Sequence, residues 1–453
     1  MKGGQRIAVE VTGLSPEGDG IAVVDGRTVV LRRSLPGDQV EATVRRRRRG
    51  RIEAEVEALV RAGVPRLAAP CVHFGVCGGC RWQDLAYDEQ LTVKHGMVRS
   101  QLEGQGLLLP PVPAVLPSPR LFHYRNKMEF SFAPAAAGGV DLGLHLHGRY
   151  NRIFDLEACH LQSEASNRVA LTVRALATEL GLPAYDLRSH TGLLRFLVVR
   201  DTKQTGQLMA NLVVSAYPDA AVDRLCARIV AEVPEIDTLV VSLQASKGQT
   251  AVGQSEHVLK GQGYLVERCN GIEYEISARS FFQTNPLQAE RLYEVARRVA
   301  GHAVRGMVLD LYCGNGGIAL QLAPWARGVT GIESVPQAVA DACRNALRNG
   351  IANCTFRAEL VEDVLESWHD PVPDLVVADP PRSGMHPRAV AALAALAPPR
   401  IVYVSCNPAT LARDLTVLAA AGYGIEAVQP VDMFPHTAHC EVVVGLVGAR
   451  RSV

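Results

Sequence analysis

The spacing of apolar and polar positions changes twice along this chain. From residue 7 to 60 the two alternate with the period of strands, in I-A-V-E-V, G-I-A-V-V-D-G-R-T-V-V, D-Q-V-E-A-T-V and I-E-A-E-V-E-A-L-V. Asp25-Gly26 lies between two apolar runs as a hairpin turn, and Pro36-Gly37-Asp38 is a second turn. Short strands separated by regular turns predict a small β-barrel over residues 1–62. Residues 84–106 then carry apolar positions at helical spacing, Leu85, Leu91, Met97, Val98 and Leu102, and predict a helix. The proline-rich stretch L-P-P-V-P-A-V-L-P-S-P should be extended. H-Y-R-N-K-M-E-F-S-F opens a strand-rich block that runs to about residue 280, with strands at 142–146, 194–200, 207–214 and 238–244 and helices near 163–180 and 218–233. Arg125, Asn126 and Lys127 at its start could grip a phosphate or simply end a strand.

From F-F-Q-T-N-P onward the period changes again, to strands separated by helices of about a dozen residues. A helix starts at Pro286, and strands are expected at M-V-L-D-L-Y, G-V-T-G-I-E, D-L-V-V-A-D, I-V-Y-V-S-C and E-V-V-V-G-L. This alternation predicts a doubly wound, mostly parallel sheet over residues 281–453. The chain thus divides into 1–62, a central α+β part at 63–280, and 281–453, with the 84–106 helix a candidate to pack on the last part.

Composition narrows the class without naming a function. Charged residues at 21% and hydrophobic ones at 48% fit a globular protein with a sizeable core, and no apolar run is long enough to span a membrane. A cytoplasmic protein is expected, so the 11 cysteines are read as metal ligands, nucleophiles or core residues and not as disulfides. The net charge of +1 conceals a local excess: eight arginines between Arg32 and Arg51, including the run Arg45 to Arg49, face only Asp38 and Glu41. Arginine forks suit phosphate oxygens, although such a run is also what a solvated loop looks like.

Candidate chemistry falls in two places. C-V-H-F-G-V-C-G-G-C places Cys71, Cys77 and Cys80 within ten residues, with glycines that let the thiolates converge, and Cys159 in D-L-E-A-C-H-L-Q is the candidate fourth ligand. Spacing alone admits zinc or an iron–sulfur cluster. His73 and His160 adjoin this set as bystanders. In the last part, glycines 314, 316 and 317 follow the first strand and Glu333 closes the second. That is a nucleoside-binding arrangement, and G-N-G-G favours S-adenosylmethionine over a dinucleotide. D-P-P-R-S-G and V-Y-V-S-C-N-P bring Asp379 and Cys406 to the same sheet edge, where the strand-end thiol is either a small buried hydrophobe or a nucleophile.

These motifs carry a resemblance. G-L-S-P-E-G-D-G-I-A, L-P-G-D and the basic strand after them resemble a TRAM domain, a small oligonucleotide-binding barrel appended to RNA-modifying enzymes. F-Q-T-N, D-L-Y-C-G-N-G, D-P-P-R-S-G, S-C-N-P and D-M-F-P-H-T-x-H-x-E occur in the order of the RNA uracil-5-methyltransferases. The chain looks most like the 23S ribosomal RNA members, which carry a TRAM domain and a four-iron, four-sulfur cluster. The resemblance implies a Rossmann-like class I methyltransferase domain behind an OB-like barrel and an iron–sulfur domain. It implies Cys406 as nucleophile toward uracil C6 and Glu441 as the base that removes the C5 proton. Gln283, Tyr312, Gly314, Gly317, Glu333 and Asp379 then surround S-adenosylmethionine, and Cys71, Cys77, Cys80 and Cys159 hold the cluster. A monomer acting on 23S rRNA is expected, with the tRNA T-loop uridine as the alternative. An iron–sulfur methylthiotransferase is the rival from another class; its C-x-x-x-C-x-x-C differs from the spacing here. Two departures stand out. From Phe356 the chain reads F-R-A-E-L-V-E-D, putting Glu359 and Leu360 where relatives have Gly-Asp, so Glu359 or Glu362 would face the adenine, and Gly317 stands where several relatives carry Asn or Thr.

Overall fold

The computed structural model describes residues 1–48 and 50–448, so Arg49, the last arginine of the basic run, lies outside the described residues. The N-terminal strands are β1 (Arg6–Glu10), β2 (Gly13–Leu14), β3 (Gly20–Val24), β4 (Arg27–Leu31), β5 (Gln39–Arg48) and β6 (Arg51–Arg61). They form one sheet in the order β1-β5-β6-β4-β3-β2, in which only β4 and β6 run parallel. Alternation directs Val11, Ala22, Val29, Leu31, Val40 and Ile52 into one small core. Val24 pairs with Arg27 across the two-residue loop Asp25-Gly26, and both loop residues have positive φ, 49° and 69°. That is the turn whose twist matches a hairpin. The Pro36-Gly37-Asp38 turn folds inward: the buried Asp38 carboxylate accepts from Leu35 N (2.7 Å), Gly63 N (2.9 Å) and Arg66 (2.5 Å).

Helix α1 (Tyr87–Glu103) is shorter than its apolar pattern, because Gly104 and Gly106 end it. Its buried Val98 and Leu102 join the core of the C-terminal sheet. The central part is a seven-stranded sheet built from β7 (Lys127–Pro134), β8 (Val140–Leu146), β9 (Arg149–Asp155), β10 (Leu194–Asp201), β11 (Leu208–Val214), β12 (Thr238–Leu243) and β13 (Ser255–Lys260), in the order β13-β12-β11-β10-β7-β8-β9. Helices α2 (Glu164–Glu179) and α3 (Ala220–Glu232) pack on it. Both have side-chain caps, from Ser163 and Asp219. A hairpin of β14 (Tyr264–Cys269) and β15 (Ile272–Ser277) follows, and its Cys269, Tyr274 and Ile276 pack into the core of the C-terminal part.

That part contains β16 (Met307–Leu311), β17 (Gly328–Glu333), β18 (Cys354–Ala358), β19 (Leu375–Ala378), β20 (Arg400–Ser405), β21 (Tyr423–Val431) and β22 (Glu441–Gly448), in the order β18-β17-β16-β19-β20-β22-β21. The first five are parallel, and β22 is antiparallel to both its neighbours. Helices α4 (Pro286–Ala300), α5 (Gly317–Leu322), α6 (Pro336–Arg348), α7 (Val361–Glu366), α8 (Pro387–Leu396) and α9 (Pro408–Ala420) connect them. The sheet is doubly wound, with an antiparallel hairpin at one edge. The proline-rich segment is stitched to that edge, Leu116 N donating to Pro430 O and Leu116 O accepting from Asp432 N, at 2.9 Å each. Among the described residues no helix is long and apolar enough to cross a membrane.

Candidate active site

The C-terminal ends of β16, β17, β19 and β20 form one rim. At the end of β16 the chain bends through Tyr312 (φ 62°), Gly314 (φ 55°) and Gly316 (φ 87°) into the N-terminus of α5. The Glu333 carboxylate ties this loop to the next one, accepting from Gly314 N (3.2 Å), Val335 N (2.9 Å) and the Ser334 hydroxyl (3.1 Å). Gly317 has a steric reason: a Cβ there would lie 2.9 Å from the Tyr293 hydroxyl. Behind the loop lies Asp310, buried, with both carboxylate oxygens lacking a hydrogen-bond partner; burial and the Asp379 charge hold its carboxyl well above the usual range. An aspartate inside the apolar strand M-V-L-D-L-Y was the signal for it.

Cys406 follows β20, and Asn407 caps α9 by accepting from Ala409 N (3.2 Å) ahead of Pro408. Ser405 pairs with Val442 in the antiparallel register, so one further step sets Cys406 opposite Glu441, the first residue of β22. The turn from Asp379 to Gly384 comes in from β19. Its Arg382 carbonyl accepts from Asn407 Nδ2 (2.9 Å) and Thr410 Oγ1 (3.3 Å), fixing the acidic turn to the thiol's turn. Asp379 N donates to Leu311 O (3.3 Å), which brings this carboxylate beside the glycine loop.

These groups share one electrostatic environment. Burial and then the Glu441 charge push the Cys406 thiol up to about 12, while Arg382 opposes the rise. Burial, with Asp379 next, lifts Glu441 to about 8, and burial lifts Asp379 to about 7. Beside Cys406 and Arg382 a cavity of about 370 Å³ opens, walled also by His439, by Arg81 and by Pro16 and Glu17 of the N-terminal sheet. His439 was not singled out by the sequence reading; the second histidine of H-T-A-H-C-E was the available clue.

The segment 432–440 that leads to Glu441 is clamped from three sides. Lys94 of α1, itself buried, pairs with buried Asp432 at 2.5 Å and donates to Phe434 O (3.0 Å); Tyr87 also donates to Asp432 (2.7 Å). Arg81 N and Trp82 N both donate to His436 O (2.8 and 3.1 Å), and Gln90 Oε1 accepts from His436 N (2.8 Å). Gly18 of the β2–β3 turn meets Ala438 so closely that a Cβ at Gly18 would overlap the Ala438 methyl.

Other expected residues are placed as follows. Gln283 precedes α4, its carbonyl accepting from Asn126 Nδ2 (3.1 Å); Asn126 is therefore buried in this strap and does not face solvent for a phosphate. Lys127 pairs with Glu129 (3.4 Å), and Arg125 Nε donates to Lys127 O (3.0 Å). Glu359 is exposed and paired with Arg357 (2.7 Å), whereas the Glu362 charge acts on Tyr312 and helps raise its phenol to about 12, after burial. Two members of the arginine run are paired across the strand, Arg45 with Glu55 (2.6 Å) and Arg46 with Glu53 (2.7 Å), and Arg47 is exposed. Glutamates of β6 thus neutralise charges that the sequence offered to phosphate.

Cys71, Cys77, Cys80 and Cys159 line a single cavity of about 710 Å³, and all are free thiols. Gly79 N donates to Cys77 Sγ (3.3 Å) and Gln83 Nε2 to Cys80 Sγ (3.2 Å). Burial pushes Cys77 up to about 11 and Cys80 to about 12, with the neighbouring thiols adding to it. His73 accepts from Glu157 N (3.0 Å), joining the loop of the first three thiols to the loop of the fourth. Among the described residues no three His, Cys, Asp or Glu side chains converge closely enough to hold a single metal ion.

The profile of the tRNA (Uracil-5-)-methyltransferase family matches residues 251–449, and that of the TRAM domain matches residues 2–56. An uncharacterised RNA methyltransferase of Chlorobaculum tepidum is 41% identical over 430 residues, covering 90% of this chain and 89% of that protein. One of Caldanaerobacter subterraneus is 36% identical, covering 98% and 99%. Among solved structures, the Pyrococcus abyssi tRNA (uracil-54, C5)-methyltransferase in complex with S-adenosyl-L-homocysteine superposes with a TM-score of 0.77 at 30% identity, over 97% of this chain and all of that one. Identity at this level along nearly the whole length, with a profile that spans the strands bearing the thiol and its facing carboxylate, means that the chain belongs to the RNA uracil-5-methyltransferase family and is an S-adenosylmethionine-dependent RNA methyltransferase.

Proposed function

We propose that this protein methylates C5 of a uridine in structured RNA, with Cys406 as nucleophile and Glu441 as base. The observation that carries the reading is the facing of these two side chains at the rim that also holds Asp379 and the glycine loop. Uracil C5 is a poor nucleophile. Addition of the Cys406 thiolate to C6 makes it an enolate carbon able to take a methyl group, and Glu441 then removes the C5 proton so that the thiol can leave. Arg382 supports the thiolate, since its charge lowers the thiol's affinity for a proton. S-adenosylmethionine supplies the methyl group. Glu333 would accept its ribose hydroxyls, Gly314 and Gly317 would let it approach the backbone, and Gln283, Tyr312 and Asp379 would line its path to the uracil. The target base must leave its stack to reach the cavity beside Cys406.

The four cysteines are read as ligands of an iron–sulfur cluster on the strength of the motif resemblance: they line one cavity, and the sulfurs of Cys77 and Cys80 each receive an N–H donor. A [4Fe–4S] cluster held there would fix the 71–83 loop, a structural task. In this reading residues 1–62 and 63–280 bind RNA and 281–453 carry out the transfer. The RNA is 23S rRNA by motif resemblance. A tRNA T-loop uridine is the second reading, favoured by the match to all of the Pyrococcus abyssi tRNA enzyme. Purified protein with tritiated cofactor, offered rRNA and tRNA lacking 5-methyluridine, separates the two by which RNA gains label. Cys406→Ala should abolish tritium release from 5-tritiated uridine RNA, and Glu441→Gln should accumulate a covalent protein–RNA adduct; unchanged release or absent adduct sinks the respective role.

A further inference from the structure

The cavity beside Cys406 holds an imidazole that the proposed chemistry leaves unused. His439 shares its wall with Cys406 and Arg382 and stands in the segment that leads into β22, two residues before Glu441. Its ring has no hydrogen-bond partner among the described residues; only its backbone N is bonded, to Thr437 Oγ1 (3.2 Å). The Phe434 ring meets it edge-on, centroids 6.1 Å apart at 82°, and so sets its plane without using its nitrogens. His436, three residues earlier, is the contrast: its ring contacts Gln90 Nε2 through Nδ1 (3.2 Å) and stacks on Phe122 at 4.4 Å. His436 is thus held through Nδ1 and its stacked ring, whereas His439 borders the cavity beside Cys406.

Burial, with Arg382 and Lys94 next, pushes the His439 imidazole down to about 4, so it is neutral at physiological pH and keeps one N–H donor and one lone pair. Thiolate addition to uracil C6 forms the S–C6 bond and moves the C5–C6 π pair toward the carbonyl oxygen on C4. A neutral imidazole can bond that oxygen without giving up its proton, so the charge returns to C5 when C5 attacks the sulfonium methyl and the thioether leaves. The C5 proton then goes to Glu441, the S–C6 bond breaks, and His439 is unchanged. Building on the uracil-methylation reading above, we propose that His439 is a catalytic residue that donates an imidazole N–H hydrogen bond to the 4-carbonyl oxygen of the target uracil as Cys406 adds.

The test isolates addition from elimination. In RNA transcribed with 5-fluorouridine the C5 substituent cannot depart as a cation, so the Cys406 adduct persists and is counted on denaturing gels. In single turnover, His439→Ala should form adduct about 10²- to 10³-fold more slowly, the cost of one lost oxyanion donor. RNA affinity by filter binding and the melting temperature should stay near wild type. His439→Gln, which keeps an N–H, should regain at least about a tenfold share of the loss. Adduct formation by His439→Ala at the wild-type rate overturns the proposal. So does a loss of RNA affinity or fold shared by both variants, which would make the residue structural. A wild-type protein that forms no adduct while Cys406→Ala behaves identically would instead remove the uracil-methylation reading, and this inference with it.

Discussion

Lys94→Met offers a quantitative check on how the segment leading to Glu441, the proposed base, is held in place. Lys94 and Asp432 are both fully buried and 2.5 Å apart. Removing the ammonium leaves Asp432 charged and buried, with only Tyr87 Oη (2.7 Å) and Phe434 N (3.1 Å) still donating to it. A buried pair broken from one side costs about 3–5 kcal/mol. Adding Asp432→Leu removes the stranded charge but orphans the Tyr87 hydroxyl and the Phe434 amide, at about 1–3 kcal/mol for an unmade buried bond. The double variant should therefore be more stable than Lys94→Met, yet short of wild type. Urea unfolding read by tryptophan fluorescence suits the question, because buried Trp82 packs in the same cluster as Ala438. Lys94→Met within about 1 kcal/mol of wild type would refute the claim that this pair anchors the 432–440 segment; so would a double variant less stable than the single one.

Two further outcomes follow from the titrating groups and the thiols. Glu441 removes a proton only as a carboxylate, so elimination from a preformed methylated Cys406 adduct, read as tritium release after a pH jump, should speed up from pH 6 to about 8 by up to tenfold per unit and level off above; a flat profile for that step would contradict its proposed role. Because the folded pKa of Glu441 is raised, its stabilising contribution is fully present below the unfolded value and lost as pH rises through about 8. The cofactor-free protein should thus melt lower at pH 8.5 than at 5.5 in the transition reporting the C-terminal part. Replacing Cys80 with Ser should lower both iron and sulfide in anaerobically purified protein and expose residues 71–83 to protease; zinc in place of iron in the wild type would refute the cluster.

Much of this architecture is legible along the chain because it is local. The Asp25-Gly26 turn fixes its hairpin, Pro286 opens its helix, and strand-end motifs set Cys406, Asp379 and Glu333 on one rim wherever a parallel sheet forms. What the pattern does not carry is pairing between distant segments. β21 has a register shift between Ile425 and Ala427 that blurs its alternation, and β18 is only partly buried. The insertion of β22 between β20 and β21 makes Glu441 face Cys406, a matter of sheet order and not of spacing. Register also pairs two of the five arginines in the run, since Arg45 and Arg46 meet glutamates on the next strand. His439 and Asp310 were read past because each lies in a motif already assigned to another residue.

The contact between Gly18 and Ala438 has a consequence for how such proteins can be recombined. With Pro16 and Glu17 walling the cavity beside Cys406 and no room for a methyl at residue 18, the barrel is a fitted part of the proposed reaction chamber as well as a candidate RNA handle. A barrel transplanted from a relative would have to bring a turn of the same shape, or the cavity would lose a wall while Cys406, Arg382 and His439 stayed in place.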